Sequence, residues 1–145
     1  MGTWGIGPFD NDTAADFAGD LDEAAAHERT PMIRTALERA VNSAEQLVTP
    51  DAERAVAAVA LVVAQHPDGE PACPNYGPSE PLPEFPEEFR TLAVDALDKV
   101  VGGMSEVAEL WDEVPDGRKW RQDVLRLRNV LAPPVPPQQE ALFAL

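Results

Sequence analysis

Cysteine and histidine are scarce in this sequence, and their scarcity excludes covalent cross-links and common metal sites. One cysteine, Cys73, occurs among 145 residues, so no disulfide forms within the chain. Such cysteine usage is typical of a reducing compartment, and we expect the protein in the cytoplasm. The two histidines, His27 and His66, do not have the spacing of a zinc site. We therefore expect no bound metal and no other cofactor.

Long apolar runs are also missing. The longest, Ala55 to Ala64, is far shorter than the roughly 20 residues that a membrane-spanning helix requires. We expect a soluble protein with no membrane partner. At this length the chain fits one domain, which buries about 70% of its unfolded surface without a disulfide or metal.

Basic residues are few. Eleven Lys and Arg stand against 26 Asp and Glu, which gives a net charge of −15. Such a chain is repelled by nucleic acids and by anionic membranes, so we expect neither as a partner. A basic protein is a compatible partner. Generic surface acidity explains much of the charge, since Arg far outnumbers Lys and Ala is abundant, as in proteins from GC-rich genomes.

No stretch shows the alternation of a β-strand, whereas helical spacing recurs throughout the chain. The segment Ala55–Ala64 is apolar on every side, which predicts a central helix surrounded by others. The fold class predicted is all-α, a single domain of about six helices in an irregular bundle. The predicted helix starts are Asn11 or Asp12, Thr30-Pro31, Thr49-Pro50, Pro86, Ser105 and the residues after Gly117.

The apolar stripes of these helices predict the core. We expect burial of the following side chains: Ala14, Phe17, Leu21 and Ala24; Ile33, Leu37, Ala40, Val41 and Ala44; Phe89, Leu92, Ala93, Ala96, Leu97 and Val100; Val107, Leu110, Trp111 and Val114; Trp120, Val124, Leu127 and Leu131.

Proline divides the chain. A proline-rich loop over residues 66–86 interrupts the helical domain, which we assign to residues 1–132. Residues 133–145 form a proline-rich C-terminal tail, and its last part carries Leu142, Phe143 and Leu145. Exposed apolar side chains of this kind predict that the tail docks on its own domain or on a second chain. A homodimer through the tail is one form of this prediction.

The unusual stretch is the first one, a loop over residues 1–10 followed by the first helix. Gly5 and Gly7 allow a folded-back loop, and Trp4 and Phe9 are expected to fix it to the core. We predict a binding motif formed by Trp4, Asp10, Asn11, Asp12 and Asp16.

Carboxylates at this spacing suit Ca²⁺ or Mg²⁺, but the segment does not follow an EF-hand loop. Ala15 stands where that loop needs a glycine, and Leu21 replaces its closing glutamate. No nucleophile elbow and no phosphate-binding glycine loop follows elsewhere. Cys73 has no basic neighbour in sequence to lower the pKa of its thiol, so we assign it no catalytic role.

Charge is segregated between the two ends of the domain. Asp12, Asp16 and Asp20 form one stripe of the first helix, whereas the last helix carries Arg118, Lys119, Arg121, Arg126 and Arg128. Because the termini of compact domains are often close, we predict that these two helices lie near each other and pair.

A family resemblance covers essentially the whole chain. Glu109-Leu110-Trp111, followed by Trp120 on a leucine-bearing helix, resembles the end of the bacterial domain-of-unknown-function family 4259. The beginning of that family is similar to the opening motif Met1-Gly2-x-Trp4-Gly5-x-Gly7-x-Phe9-Asp10-Asn11-Asp12-x-Ala14-x-Asp16-Phe17. The resemblance implies a small soluble bacterial domain with no assigned activity, cofactor or catalytic residue.

These observations favour a small intracellular domain that acts by binding another protein and has no catalysis of its own. Two alternatives stay open. One is a metal-dependent hydrolase or other enzyme that uses Asp10, Asp12 and Asp16. The other is an acidic inhibitor or nucleic-acid mimic that presents its negative surface to a basic target.

Overall fold

A computed structural model describes residues 5–67, 69, 78 and 82–132. Trp4, Cys73 and the tail 133–145 lie outside these residues, as does much of the proline-rich loop. The described ranges contain six helices and no strand, so the all-α prediction is confirmed. The helices are α1 (Asp12–Glu23), α2 (Ala26–Val41), α3 (Thr49–Ala64), α4 (Glu88–Val100), α5 (Glu106–Asp112) and α6 (Gly117–Leu131).

The central position predicted for α3 is confirmed. Ala52 and every residue from Ala55 to Val63 are buried, because α3 packs against α1, α2, α4, α5 and α6. Within the described part, no helix has both the length and the apolarity that a membrane crossing requires.

The predicted start of α2 is wrong. The Thr30-Pro31 pattern predicts a helix that begins at Pro31 with Thr30 as its cap, but α2 begins at Ala26 and contains Pro31. Proline has no N–H for the carbonyl four residues back, so the helix lacks one hydrogen bond at His27. Pro31 is exposed, and its ring therefore displaces no core side chain.

Arg29 connects the beginning of α2 to the end of α1. Its Nε donates to the carbonyl of Leu21 at 2.8 Å, and its Nη2 donates to the carbonyl of Asp22 at 3.4 Å. The last carbonyls of a helix have no partner within it, so Arg29 satisfies two carbonyls near the end of α1. These bonds tie the first turns of α2, which precede Pro31, to the end of α1.

The Thr49 prediction is half right. The helix does begin at Thr49 with Pro50 in its first turn, but Val48 is the cap residue and makes no capping bond from its side chain. Glu106 of α5 provides the acceptor instead. Its Oε1 accepts the Thr49 N–H at 2.9 Å and the Thr49 hydroxyl at 2.6 Å.

The segments that lead into α3 and α5 are joined beside this contact. The N–H of Leu47 donates to the carbonyl of Met104 at 2.7 Å, and the N–H of Glu106 donates to the carbonyl of Leu47 at 3.0 Å. Ser105, fully buried here, caps α5 as predicted by accepting the N–H of Ala108 at 3.4 Å. The starts of α3 and α5 therefore form one hydrogen-bonded unit.

The predicted stripe of α5 is only partly correct. Val107 is buried, and Trp111 packs on the core by stacking on Trp120, with ring centroids 5.8 Å apart and planes 7° apart. Leu110 is 51% exposed although it lies within α5, and Val114 is 46% exposed because α5 ends at Asp112, before it.

The other stripes agree more closely with the structure. In α4 and α6 the predicted core residues are buried, except that Leu92 is half-buried. In α1, Ala14, Phe17 and Leu21 are buried and Ala24 lies beyond the helix. In α2 the predicted core residues Ile33, Leu37 and Ala40 are buried. Val41 is half-buried, and Ala44 is exposed beyond the end of the helix.

The candidate functional site, a glycine loop and an apolar groove

The glycines of the opening motif fold around one carboxylate. The Oδ2 atom of Asp10 accepts the N–H of Gly7 at 3.0 Å, and the N–H of Asp10 donates to the carbonyl of Gly7 at 3.1 Å. A Cβ atom on Gly5 would lie 2.5 Å from that Oδ2, and one on Gly7 would lie 2.7 Å from it. A Cβ at either position would therefore force the Asp10 carboxylate to move.

Asn11 is the cap of α1, as one of the two predicted options. Its Oδ1 accepts the N–H of Ala14 at 2.8 Å, and the residue is nearly buried. Asp12 begins the helix and is exposed, as is Asp16 one turn later. A carboxylate in the first turn is favoured by the helix dipole, which accounts for Asp12.

The structure therefore divides the predicted motif among different tasks. Asp10 closes the loop, Asn11 caps α1, and Asp12 and Asp16 face solvent. Trp4 lies outside the described residues. Within the described ranges, no group of three or more His, Cys, Asp or Glu side chains is close enough together to hold a metal ion.

The loop is fixed to the core where α3, α5 and α6 meet. Phe9 is 1% exposed. A cavity of only about 20 Å³ stays between the loop and the helices, and Ile6, Val56, Trp111 and Trp120 are among its lining residues. This space is too small for a substrate, so the loop acts here as a packed structural element.

The predicted pairing of α1 with α6 is wrong. Four of the five basic residues of α6 have acidic partners elsewhere: Lys119 with Asp116 at 4.0 Å, Arg121 with Asp112 at 2.8 Å, Arg126 with Asp123 at 2.9 Å and Arg128 with Asp98 at 2.8 Å. These acidic partners lie within nine residues of the basic residue in sequence, or on α4 in the case of Asp98. In the part of the chain that the structure describes, Asp12, Asp16 and Asp20 form no ion pair.

The Arg121 pair shows how strongly α6 is tied to α5. Two nitrogens of the guanidinium group, Nε and Nη2, donate to the two oxygens of Asp112, at 2.8 and 2.9 Å. This bidentate contact lowers the pKa of the Asp112 carboxyl and raises the pKa of the Arg121 guanidinium.

An apolar groove between α1, α2 and α3 is the feature that the sequence did not reveal. It encloses about 530 Å³. Its apolar lining consists of Phe17 from α1 and of Pro31, Met32 and Ala36 from α2. Thr35, His27, Glu28, Arg39 and Arg54 complete its lining. We call this feature the α1–α2 groove.

Two arginines mark one end of the groove. Arg39 lies near the end of α2 and Arg54 in the first half of α3, and Asp51 is within 3.5 Å of the first and 3.4 Å of the second. One carboxylate between two guanidinium groups leaves a net positive charge at this end. That charge is unusual in a chain of net charge −15.

The sequence does contain a signal for the groove. Met32 directly precedes the core stripe of Ile33, Ala36 and Leu37 and is itself only half-buried, so the apolar face of α2 extends beyond the buried stripe. With the helix expected to begin at Pro31, the groove residues His27 and Glu28 are not recognised as part of the same helix surface.

A second groove lies between α5 and α6. It encloses about 340 Å³ and is lined by the exposed Val114 and Leu125 together with Arg118, Arg121 and Gln122. The Arg121–Asp112 pair occupies one side of it. Its apolar lining is smaller than that of the α1–α2 groove.

Comparisons with known proteins agree with the resemblance seen in the sequence. No curated protein and no solved structure matches this chain. One family model matches residues 2–123, a span that contains the glycine loop, α1 to α5 and the first half of α6. The chain therefore belongs to the family described as Domain of unknown function (DUF4259).

Proposed function

We propose that this domain is a non-catalytic protein-binding module, and that the α1–α2 groove takes an apolar peptide segment that carries a carboxylate. The observation that carries the proposal is the combination of an apolar floor with Arg39 and Arg54 at one end. Apolar grooves with a few placed charges are the usual form of peptide-binding sites on helical domains.

The apolar part of the groove supplies the affinity. Phe17, Met32 and Ala36 are held by the core beneath them, so the floor is formed before a ligand arrives. Burying apolar area is worth about 25 cal/mol per Å², and one inserted leucine or phenylalanine gains roughly 1.5–3 kcal/mol. A preformed floor also reduces the ordering cost of binding.

The arginines supply the selectivity. Arg39 and Arg54 both pair with the single carboxylate of Asp51, so a carboxylate on the ligand would give this cluster a second negative charge. Hydrogen bonds between guanidinium and carboxylate groups are directional and charge-assisted. Basic segments are disfavoured at this end of the groove, although the protein as a whole is acidic.

Two further parts of the proposal concern where and with what the module acts. We place it in the bacterial cytoplasm, where its single cysteine stays reduced. We expect no nucleic acid or membrane among its partners, because the net charge of −15 repels both. A homodimer is compatible with this proposal.

The hydrolase alternative has less support than the groove. An enzyme built on Asp10, Asp12 and Asp16 needs their carboxylates to converge, but Asp10 accepts the N–H of Gly7 inside its own loop. Asp12 and Asp16 are exposed on α1. The acidic inhibitor alternative would use the same exposed aspartates of α1 to contact a basic target.

Selection of peptides from a random library on the immobilised full chain tests the proposal. We expect enriched peptides to combine Leu, Phe or Met with an Asp or Glu. The variants Arg54→Gln and Arg118→Gln form a matched pair, since each removes one positive charge but only Arg54 lines the α1–α2 groove.

We expect enrichment to be lost with Arg54→Gln and kept with Arg118→Gln. Peptides that are basic, or that bind both variants equally, contradict the proposal.

A further inference from the structure

We infer that the segment taken by the α1–α2 groove is an amphipathic α-helix of about three turns, with an acidic residue in its first turn and a basic residue in its last. This inference rests on the proposed function, because it names the class of peptide that the same groove takes. Three observations carry it: the pattern of the lining residues, the backbone around the groove and the charges at its two ends.

The lining of the groove follows α2 along most of its length. One row of lining residues begins at His27 and ends at Arg39, and a second row begins at Glu28 and ends at Ala36, each with every fourth residue of α2. Side chains four residues apart form the ridges that pack against another helix. The row from His27 to Arg39 is about 18 Å long at 1.5 Å per residue, which matches a helix of about three turns.

The groove exists because α1 and α2 pack on α3 and not on each other. α1 packs on α3, and α2 packs on α3 and α4. Direct contact between α1 and α2 is slight, although only Ala24 and Ala25 separate the two helices in sequence. Phe17 lines the groove from α1 and Arg54 lines it from α3. A helix laid in the groove would therefore contact all three helices.

The backbone around the groove favours a helical ligand over an extended one. An extended peptide needs a row of partners for its own N–H and C=O groups, such as the edge of a sheet provides. The described residues contain no strand, and the groove is lined by helices whose interior backbone groups are bonded within each helix. The carbonyl of His27, which lacks its helical bond because of Pro31, is one acceptor and not a row. A helix bonds its own backbone groups, so it lies on an apolar floor without leaving them unpaired.

The charges at the two ends of the groove set the direction of the helix. Arg39 and Arg54 at one end share the carboxylate of Asp51. Glu28 at the other end is exposed and has no ion pair in the part of the chain that the structure describes. A helix is stabilised by an acid in its first turn and a base in its last. That order pairs the acid with the arginines and the base with Glu28, and it lays the ligand antiparallel to α2.

Two synthetic peptides of one composition serve as probes, each about 16 residues long, or about 24 Å as a helix. Both consist mainly of alanine and glutamine, with a glutamate near the N-terminus, a lysine near the C-terminus and the same number of leucines. In the helical-pattern peptide the leucines recur three and four residues apart, which places them on one side of a helix. In the alternating peptide they occupy every second position, which places them on one side of an extended chain.

Two variants of the full chain locate the binding. Thr35→Glu and Thr91→Glu each put a carboxylate at an exposed threonine of a helix, but only Thr35 lines the groove. Thr35 also lies one turn before Arg39, so the new carboxylate competes with the glutamate of the peptide for that arginine. Fluorescence anisotropy with the labelled peptides gives the dissociation constants, after thermal melts have shown both variants folded.

We expect the unmodified chain to bind the helical-pattern peptide at least about tenfold more tightly than the alternating peptide. Thr35→Glu should weaken binding of the helical-pattern peptide by at least about tenfold, and Thr91→Glu should leave it unchanged. Equal affinity for the two peptides, or tighter binding of the alternating one, overturns the inference. So does an equal effect of the two variants, since the helix then binds outside the groove.

Peptides selected from the random library separate this failure from that of the proposed function. If selected peptides depend on Arg54 but the helical-pattern peptide binds no better than the alternating one, the groove is a peptide site and its ligand is not a helix. If neither the probes nor the selected peptides depend on the groove, the proposed function fails together with the inference.

Discussion

Glu106 on α5 provides the hydrogen-bond acceptor for the first residue of α3, Thr49. A single carboxylate oxygen accepts both the N–H and the hydroxyl of Thr49, at 2.9 and 2.6 Å. The side-chain bond, followed by the backbone bond, lowers the pKa of Glu106 from its ordinary value of 4.5. The short helix α5 thus holds the start of the central helix.

We predict that Glu106→Gln lowers the melting temperature at neutral pH and weakens its pH dependence in acid. Folding lowers the pKa of Glu106, so the contact stabilises the protein fully above about pH 4.5 and loses its effect as the pH falls through the folded-state pKa. The two proteins should therefore converge in thermal stability below that pH.

Thermal melts from pH 7 to pH 3 check this prediction. The control is Glu113→Gln, which removes an exposed carboxylate just beyond α5. Parallel curves for the unmodified chain and Glu106→Gln would show that Thr49 gains nothing from the charge.

The glycine loop gives a second prediction. Gly7→Ala places a Cβ 2.7 Å from Asp10 Oδ2, so the carboxylate must turn away and lose its bond to the Gly7 N–H. We expect a cost of about 1.5–3 kcal/mol, typical of a hydrogen bond to a charged group. Thermal melts should show a drop of several degrees for a domain of this size.

Gly19 is the matched control for this substitution. It lies inside α1, and a Cβ added there would have no neighbouring atom within 4 Å, so Gly19→Ala should stabilise the protein by about 0.5–1 kcal/mol. In an Asp10→Ala background, Gly7→Ala should cost much less. An equal cost in both backgrounds would mean that Asp10 is not the reason for the glycine.

Sequence patterns predict this structure well where one local interaction decides it. The caps Asn11 and Ser105 are predictable because a short polar side chain before an apolar stripe satisfies a free N–H of the next turn. The all-sided apolar run from Ala55 to Ala64 likewise predicts the central helix.

Sequence patterns fail where a distant residue takes over a local role. Thr30-Pro31 and Thr49-Pro50 have the same local pattern, yet the first lies inside a helix and the second at a helix start. Arg29, in the part of α2 before Pro31, is bonded to the end of α1, and Glu106 accepts from Thr49 across 57 positions. The α1–α2 groove is not predictable from local patterns either, because its lining comes from three different helices.

The aspartates of α1 give a third prediction. Asp12, Asp16 and Asp20 are exposed and spaced four apart, and each adjacent pair of like charges costs about 0.2–0.5 kcal/mol. Asp16→Asn removes the repulsion of Asp16 with Asp12 and with Asp20, and it should raise the melting temperature slightly at low salt. At high salt the gain should disappear.

Melting temperatures measured with Ca²⁺ or Mg²⁺ distinguish charge repulsion among these aspartates from a metal site. We expect millimolar Ca²⁺ or Mg²⁺ to leave the melting temperature of the unmodified chain within the change that the same ionic strength of NaCl produces. A larger rise that Asp16→Asn abolishes would show that the aspartates bind a cation.

The most direct test of the central claim is the affinity of a selected acidic, apolar peptide for two charge variants of the full chain. Met32→Glu places a carboxylate in the α1–α2 groove, and Met104→Glu places the same group on a remote exposed site. Fluorescence anisotropy with the labelled peptide gives both dissociation constants, once thermal melts show both variants folded. We predict that Met32→Glu weakens binding at least about tenfold, a loss of roughly 1.4 kcal/mol, and that Met104→Glu leaves it unchanged. Equal affinities for the two variants would contradict the assignment of the groove as the binding site.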